Sequence, residues 1–418
     1  MSRQQRYAQQ RYEHKGGRRT AKVLLLLILL LLILAAALVG WSYKRTRDSL
    51  AVSFTDKAPE VEVGGDYAAM DYVGSSVGEV TASSEYLDAD TTGDREITYT
   101  VTEPMYGGLL NPTEEFTLTY TVVDTEPPLK IWSGDGTVLQ RGTEFDINKV
   151  IGYGDNADPE PKLSVDGEVD MNTSGKYPLH VTVTDASGNS TSWDLTVEVA
   201  DSVPVYTDNS ERTKFGDFAS AYAGNGRTFG VDVSTWQGDV DFDAVKAAGC
   251  DFAIIRIGYS KDGEITFDDR FDQNYERAKA AGIRTGIYLY SYDNTEKDVR
   301  SAADQIAEKL GENAPDLPVV FDWEDFGRFQ TYRMSFTDLN KLYDAFADEL
   351  SRKGYDCMLY GNRNSLEKIW TDTDTRPVWL AHYTDKTDYK GPYRIWQASC
   401  TGRIDGIDGD VDMDIMYK

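Results

Sequence analysis

Apolar and polar positions divide the chain into three patterns. The first is continuous: no charged residue lies between Lys22 and Lys44, and Val23 to Val39 is an unbroken run of Leu, Ile, Ala and Val. At 1.5 Å per residue the charge-free segment spans roughly 30 Å, the length of one helical bilayer crossing, and residues 23–43 are predicted to form it. A secretory signal peptide cleaved near Ala35-Ala36-Ala37 is the competing reading. The apolar run is longer than the usual h-region of about 7–15 residues, so an uncleaved anchor is expected.

The second pattern has period two and covers residues 57–203, in runs such as Thr98-Tyr99-Thr100-Val101-Thr102 and His180-Val181-Thr182-Val183-Thr184. Gly93 and Gly175, 82 positions apart, open similar stretches, and Phe116 to Asp124 matches Trp193 to Asp201, each followed by proline. This degenerate repeat predicts two β modules, residues 57–126 and 127–203, with turns such as Asp185-Ala186-Ser187-Gly188-Asn189. Residues 204–227, rich in Ser, Asp, Gly and Ala, read as a linker.

The third pattern alternates strand and helix over residues 228–418. Apolar runs at Ala253 to Ile257, Gly286 to Tyr290, Val319 to Phe321, Met358 to Tyr360, Val378 to Leu380 and Ile395 to Gln397 read as strands. Helical spacing appears at Phe242 to Ala248, Phe271 to Ala281, Val299 to Leu310 and Leu339 to Leu350, each with a nearby Gly suited to a C-cap. Strand, helix, strand at this spacing predicts a parallel sheet closed into a small α/β barrel, with helical signals fading after Trp370.

Charge follows the same divisions. Ten of the 43 basic residues and one of the 70 acidic residues fall in the first 47 positions, leaving 33 against 69 beyond them, a net of −36. The heavier basic side, residues 1–22, is expected to stay in the cytoplasm and the rest of the chain to face outward. So acidic an ectodomain argues against nucleic acid as a partner. Cys250, Cys357 and Cys400 show no CxxC spacing and His14, His180 and His382 no cluster, so neither a disulfide framework, a metal site nor a cofactor is expected.

The chemistry lies at strand ends. Pro318-Val319-Val320-Phe321-Asp322-Trp323-Glu324 is an apolar strand closing on two carboxylates, which alternation puts on one face with Cα atoms roughly 6.5–7 Å apart. Paired carboxyls, one protonated and one ionised, are what cleavage of a glycosidic bond requires. Solvated loop acids are the bland alternative. Gly230-Val231-Asp232-Val233-Ser234-Thr235-Trp236-Gln237-Gly238 and Gly409-Asp410-Val411-Asp412-Met413-Asp414-Ile415 carry acids in the same manner.

Taken with Tyr360-Gly361, Trp379-Leu380-Ala381-His382-Tyr383 and Ile395-Trp396-Gln397 in this order, the segment resembles the family 25 glycoside hydrolases, lysozymes of peptidoglycan. The resemblance implies an irregular TIM-like barrel whose last strands lack full helices. It also implies cleavage of the β-1,4 bond between N-acetylmuramic acid and N-acetylglucosamine, with glycan strands as the partner. It puts the general acid at Glu324, with Asp322, Asp232 and Asp412 as ionised partners of undivided role; a covalent glycosyl-enzyme and participation by the substrate's N-acetyl group both use these acids. Like-charge crowding is the expected reason for a raised Glu324. Tyr288, Tyr290, Trp323, Tyr360, Trp379, Trp396, Gln397 and Asp414 are expected to line the groove. Two departures stand out: Tyr288-Leu289-Tyr290-Ser291 where an aromatic-His pair is usual, and Asp414 where an Asn is usual. A wall-binding or adhesion protein that holds sugar without turnover is the runner-up, and a hydrolase of another amino-sugar polymer a third.

The β modules read as Ig-like sandwiches, the second resembling bacterial Ig-like surface modules, and are expected to act as a stalk. The Asp155-Asn156-Ala157-Asp158-Pro159 loop reads as an Asx/Pro turn, with calcium as the competing reading.

Overall fold

The computed structural model describes residues 3–205, 208 and 211–418, with side chains described from residue 19 onward. Two compact units divide between Val123 and Asp124.

The first unit opens with a helix, Arg3–Arg47, whose segment Arg19–Arg47 is long and apolar enough to cross a membrane. Lys44, Arg45 and Arg47 close it, where cations suit the negative end of the helix dipole. A β module follows. Glu60–Glu62 runs parallel beside Thr113–Val123, which pairs antiparallel with Gly93–Thr102, and that in turn with Glu79–Ala82. A separate ribbon joins Ala51–Phe54 to Val73–Val77. The module therefore begins before the expected residue 57, with Leu50 already buried.

The second unit opens with a module of the same connectivity. Val138–Gln140 runs parallel to Ser190–Ala200, which pairs with Gly175–Thr184, and that with Lys162–Asp166; Leu129–Trp132 pairs with Gly152–Gly154. The repeat seen in sequence is thus a repeat of topology. Alternation buries Val181, Val183, Trp193, Leu195 and Val197 on one face.

The remainder forms a ten-stranded sheet that closes on itself. In chain order its closing strands are β1 (Arg227–Val233), β2 (Phe252–Lys261), β3 (Arg284–Ser291), β4 (Val319–Asp322), β5 (Cys357–Asn362), β6 (Val378–Ala381), β7 (Ile395–Arg403) and β8 (Val411–Tyr417). Strands β1 to β7 are parallel neighbours in sequence order. Strand β8 is antiparallel to both β7 and β1 and closes the ring, a departure from the all-parallel expectation. The short turn between Arg403 and Val411 leaves no room for a crossover, so the chain can only double back.

Helices α1 (Phe242–Ala247), α2 (Phe271–Ala280), α3 (Glu296–Leu310), α4 (Phe336–Arg352) and α5 (Arg363–Lys368) follow β1 to β5. Side chains set four of these starts: Asp241 caps α1, Thr295 caps α3, Ser335 with Asp338 forms a capping box on α4, and Asn362 caps α5. No helix follows α5 among the described residues. One apolar cluster fills the ring, including Phe252, Ile254, Val320, Met358, Trp379 and Met416. A larger one lies between strands and helices, including Val231, Ile255, Leu289, Phe321, Phe346 and Leu380.

Two boundaries differ from expectation. The supposed linker contributes Thr213–Lys214 beside β7 and a helix Phe215–Ala221 whose Phe215 and Phe218 are buried in the larger cluster. Their i, i+3 spacing was the missed signal. The second β module is also not a free spacer. Gln330 Nε2 donates to the Asn148 and Ile151 carbonyls, and the Phe336 and Thr337 amides at the start of α4 donate to the Asp155 and Asn156 carbonyls. Gly152 and Gly154 permit this approach, because a Cβ there would sit 2.8 Å from the Phe326 carbonyl oxygen and 2.5 Å from the Phe329 ring.

Candidate active site

Strand alternation decides what faces the ring's interior. On β4 and the residues after it, Asp322 and Glu324 share one face, while Trp323 turns to the other, donating to the Asp293 carbonyl and packing edge-on against Phe326, Phe329 and Tyr332. Asp232, on β1, lies directly across from Asp412 on β8, a pairing that holds Cβ atoms about 4.5–5.5 Å apart. The antiparallel direction of β8 brings its first residues to the same end of the ring as the final residues of the parallel strands. That is how Asp412, near a strand's start, joins acids at strand ends.

Register continues the belt. Tyr290 stands beside Asp322, Asp322 beside Tyr360, and Tyr360 beside Trp379. Gln397 organises the other side: its Nε2 donates to Asp232 Oδ2 at 2.7 Å, while its Oε1 accepts from the Tyr360 and Tyr383 hydroxyls, each at 2.9 Å. Trp379 Nε1 donates to Asp414 Oδ1 at 2.8 Å, and its ring meets Tyr360 and Tyr288 edge-on.

Burial shifts these acids toward their protonated forms. It raises Asp322 well above the usual carboxylate range, with the Glu324 charge second and Arg256 opposing. It raises Asp232 likewise, followed by the Asp412 and Asp414 charges. Glu324 rises to about 7 and Asp412 to about 6, both chiefly through burial. For Glu324 the neighbouring Asp322 hydrogen bond pulls down and the Asp412 charge pushes up. Desolvation, not like-charge crowding, is therefore the main cause at Glu324. The expectation that Asp322 and Asp232 stand ionised also changes. Each is more enclosed than the acid beside it, and burial favours its protonated form.

Of the expected groove residues, Tyr288 and Tyr290 are half-buried at the ring's interior. Tyr360, Trp379 and Gln397 are buried beneath the acids and act as their supports. Three expectations fail on geometry. Trp323 and Trp396 face the helix side, Trp396 donating to the His382 carbonyl and meeting Tyr222 edge-on. Asp414 is wholly enclosed and bound to Trp379, so it holds the floor and does not meet a ligand.

Sequence reasoning missed Arg256, whose guanidinium pairs with Asp268 at 2.7 Å and opposes the upward shift of Asp322. A lone charge within the apolar run of β2 was its signal. It also missed Trp236, 80% exposed on a short 3-10 turn capped by Ser234, and Tyr383, 54% exposed while bonded to Gln397. Cys400 is exposed, while Cys250 is buried.

Residues 231–407 match the sequence model of Glycosyl hydrolases family 25, and residues 129–199 that of the bacterial surface protein Ig-like domain. Residues 231–407 are thus similar to family 25 glycosyl hydrolases, and the residues before them to a bacterial surface Ig-like domain. The chain is 33% identical to Lysozyme M1 of Streptomyces globisporus over 44% of this chain and 65% of that protein. It is 29% identical to the autolytic lysozyme of Clostridium acetobutylicum over 44% of this chain and 54% of that one. The match therefore spans under two thirds of either relative. Among solved structures it is similar to the bacterial lysozyme from Streptomyces coelicolor, with a TM-score of 0.38 and 26% identity over 46% of this chain and 92% of that one.

Proposed function

We propose that the C-terminal domain is a peptidoglycan hydrolase that cleaves the β-1,4 bond between N-acetylmuramic acid and N-acetylglucosamine. The observation that carries this reading is two pairs of carboxyls, Asp322 with Glu324 and Asp232 with Asp412, gathered at one end of a closed sheet. The lysozyme names of the two relatives support the same substrate class. Glu324, raised to about 7, supplies the proton for the leaving oxygen, since a general acid works best with a proton affinity near the working pH. Asp412 is the ionised partner facing the positive charge that develops at the anomeric carbon. Asp322 and Asp232, which burial pushes toward their protonated forms, hold these two by hydrogen bonds, and Gln397 fixes Asp232 in turn. Trp236, Tyr383, Tyr288 and Tyr290 offer rings to the sugars.

The closed eight-strand arrangement reads as an irregular TIM-like barrel, with catalysis at the C-terminal ends of its parallel strands. The two β modules read as Ig-like sandwiches. The apolar helix reads as an uncleaved single-pass anchor in the cell membrane, with the basic residues ahead of it cytoplasmic and the hydrolase outside. Digesting purified peptidoglycan with the intact chain and identifying the new reducing sugar tests the reaction. N-acetylmuramic acid is expected there; N-acetylglucosamine, or no cleavage, overturns it. Protease added outside wall-stripped cells is expected to leave a membrane fragment near the size of residues 1–50. A soluble mature chain beginning near residue 38 would instead identify a cleaved signal peptide.

A further inference from the structure

Three aspartates far from the barrel's acids meet at one end of the second β module. Asp124 opens the unit, Asp155 directly follows the strand Gly152–Gly154, and Asp185 directly follows Gly175–Thr184. They are 8%, 1% and 5% exposed, and one carboxylate oxygen from each lies within 4.8 Å of the other two. Asp155 Oδ1 accepts from the Ala157 and Asp158 amides, the Asx turn expected from sequence, and Asp185 Oδ1 accepts from the Asn189 amide. The second oxygen of each is different: Asp155 Oδ2 and Asp185 Oδ2 are buried with no hydrogen-bond partner.

Enclosing Asp155 Oδ2 and Asp185 Oδ2 without a hydrogen-bond partner costs several kcal/mol in typical cases. Burial, with the Asp124 and Asp185 charges adding to it, pushes Asp155 up to about 6 against its two amide donors. The donor set is all carboxylate, without His or Cys, which suits a hard cation and not zinc. Calcium binds oxygen at about 2.3–2.6 Å, so its ligands lie up to roughly 4.6–5.2 Å apart across the ion. The observed limit fits that span.

We propose that Asp124, Asp155 and Asp185 bind one Ca2+ ion, and that this ion locks the second β module onto the hydrolase domain. The link is the loop that carries Asp155. Its Asp155 and Asn156 carbonyls accept the first amides of α4, and the Asn156 carbonyl also accepts from Thr337 Oγ1 at 2.7 Å. Fixing Asp155 therefore fixes the cap on a helix of the catalytic domain.

The test uses the full-length chain in detergent, stripped with EDTA and desalted. Calorimetric titration with CaCl2 is expected to show one ion per chain. A hundredfold excess over Kd should raise the melting midpoint by about 5–10 °C. The double variant Asp155→Asn, Asp185→Asn should lose that rise, yet melt at or above the wild type in EDTA, because it removes unpaired buried charge. Wild-type chain that shows neither heat nor a shifted midpoint in millimolar CaCl2 overturns the proposal whether or not the variant folds. A response to MgCl2 but not CaCl2 overturns the assignment of the ion. A double variant that keeps the calcium response overturns the assignment of its ligands.

Discussion

Glu324 and Asp412 differ from the acids beside them in being only partly enclosed, and that difference sets the pH dependence of the proposed reaction. Glu324 acts while protonated, so its contribution falls as pH rises through about 7; Asp412 acts while ionised, so its contribution falls as pH drops through about 6. Turnover on soluble glycan fragments should therefore peak in a narrow band between these values, and a flat profile from pH 5 to 8 would contradict the assignment. Glu324→Gln should abolish hydrolysis, by at least a hundredfold, while leaving the fold intact. Its stability effect has a definite sign. The folded state binds the Glu324 proton more tightly than the unfolded chain does, so this group's contribution is fully present below about 4.5 and lost as pH rises through about 7. The Gln variant escapes that loss, and its melting midpoint should exceed the wild type's at pH 8 by on the order of 2–4 °C, with the gap closing by pH 5. Asp414→Asn follows similar logic. Burial pushes Asp414 toward its protonated form, which Asn matches in shape and charge, so the substitution should preserve most activity, as a rate assay at pH 6.5 would register.

At the scale of elements, alternation along a strand separates residues that sequence proximity joins. Trp323 lies between two of the proposed catalytic acids in sequence but belongs to the packing beneath the helices. Trp323→Ala should cost about 3–5 kcal/mol of stability by the cavity it leaves. Trp236→Ala should instead leave the melting midpoint unchanged and raise KM for polymeric glycan; unchanged KM would remove Trp236 from the sugar path. The same contrast explains how far the sequence could be read. Strands β2 to β7 and helices α1 to α4 were legible because each carries its own period and cap. The acids were legible because carboxylates closing apolar runs are costly without a role. The orientation of Trp396 and the enclosure of Asp414 were not, since both depend on which face of a strand the closed ring turns inward. The antiparallel direction of β8 was hidden in a short turn that reads equally well as an ordinary loop.

At the scale of the whole molecule, the contact between the second β module and the closed-sheet domain changes what the region before that domain does. Sequence patterning suggested two spacers in series, but only contacts distant in sequence reveal that Gly152 and Gly154 press against Phe326 and Phe329. Gln330, Phe336 and Thr337 spend their hydrogen bonds on the module's backbone, so a chain beginning at residue 204 would leave these donors and an apolar face to water. A chain beginning at residue 124 keeps them covered. The shorter fragment should melt several degrees below the longer one and hydrolyse soluble glycan more slowly at 37 °C, because α4 loses part of its N-terminal anchorage. Differential scanning calorimetry of the two fragments decides the matter. Equal midpoints would return the second module to the role of a passive spacer. A lower midpoint for the shorter fragment would make the second module and the closed-sheet domain one folding unit.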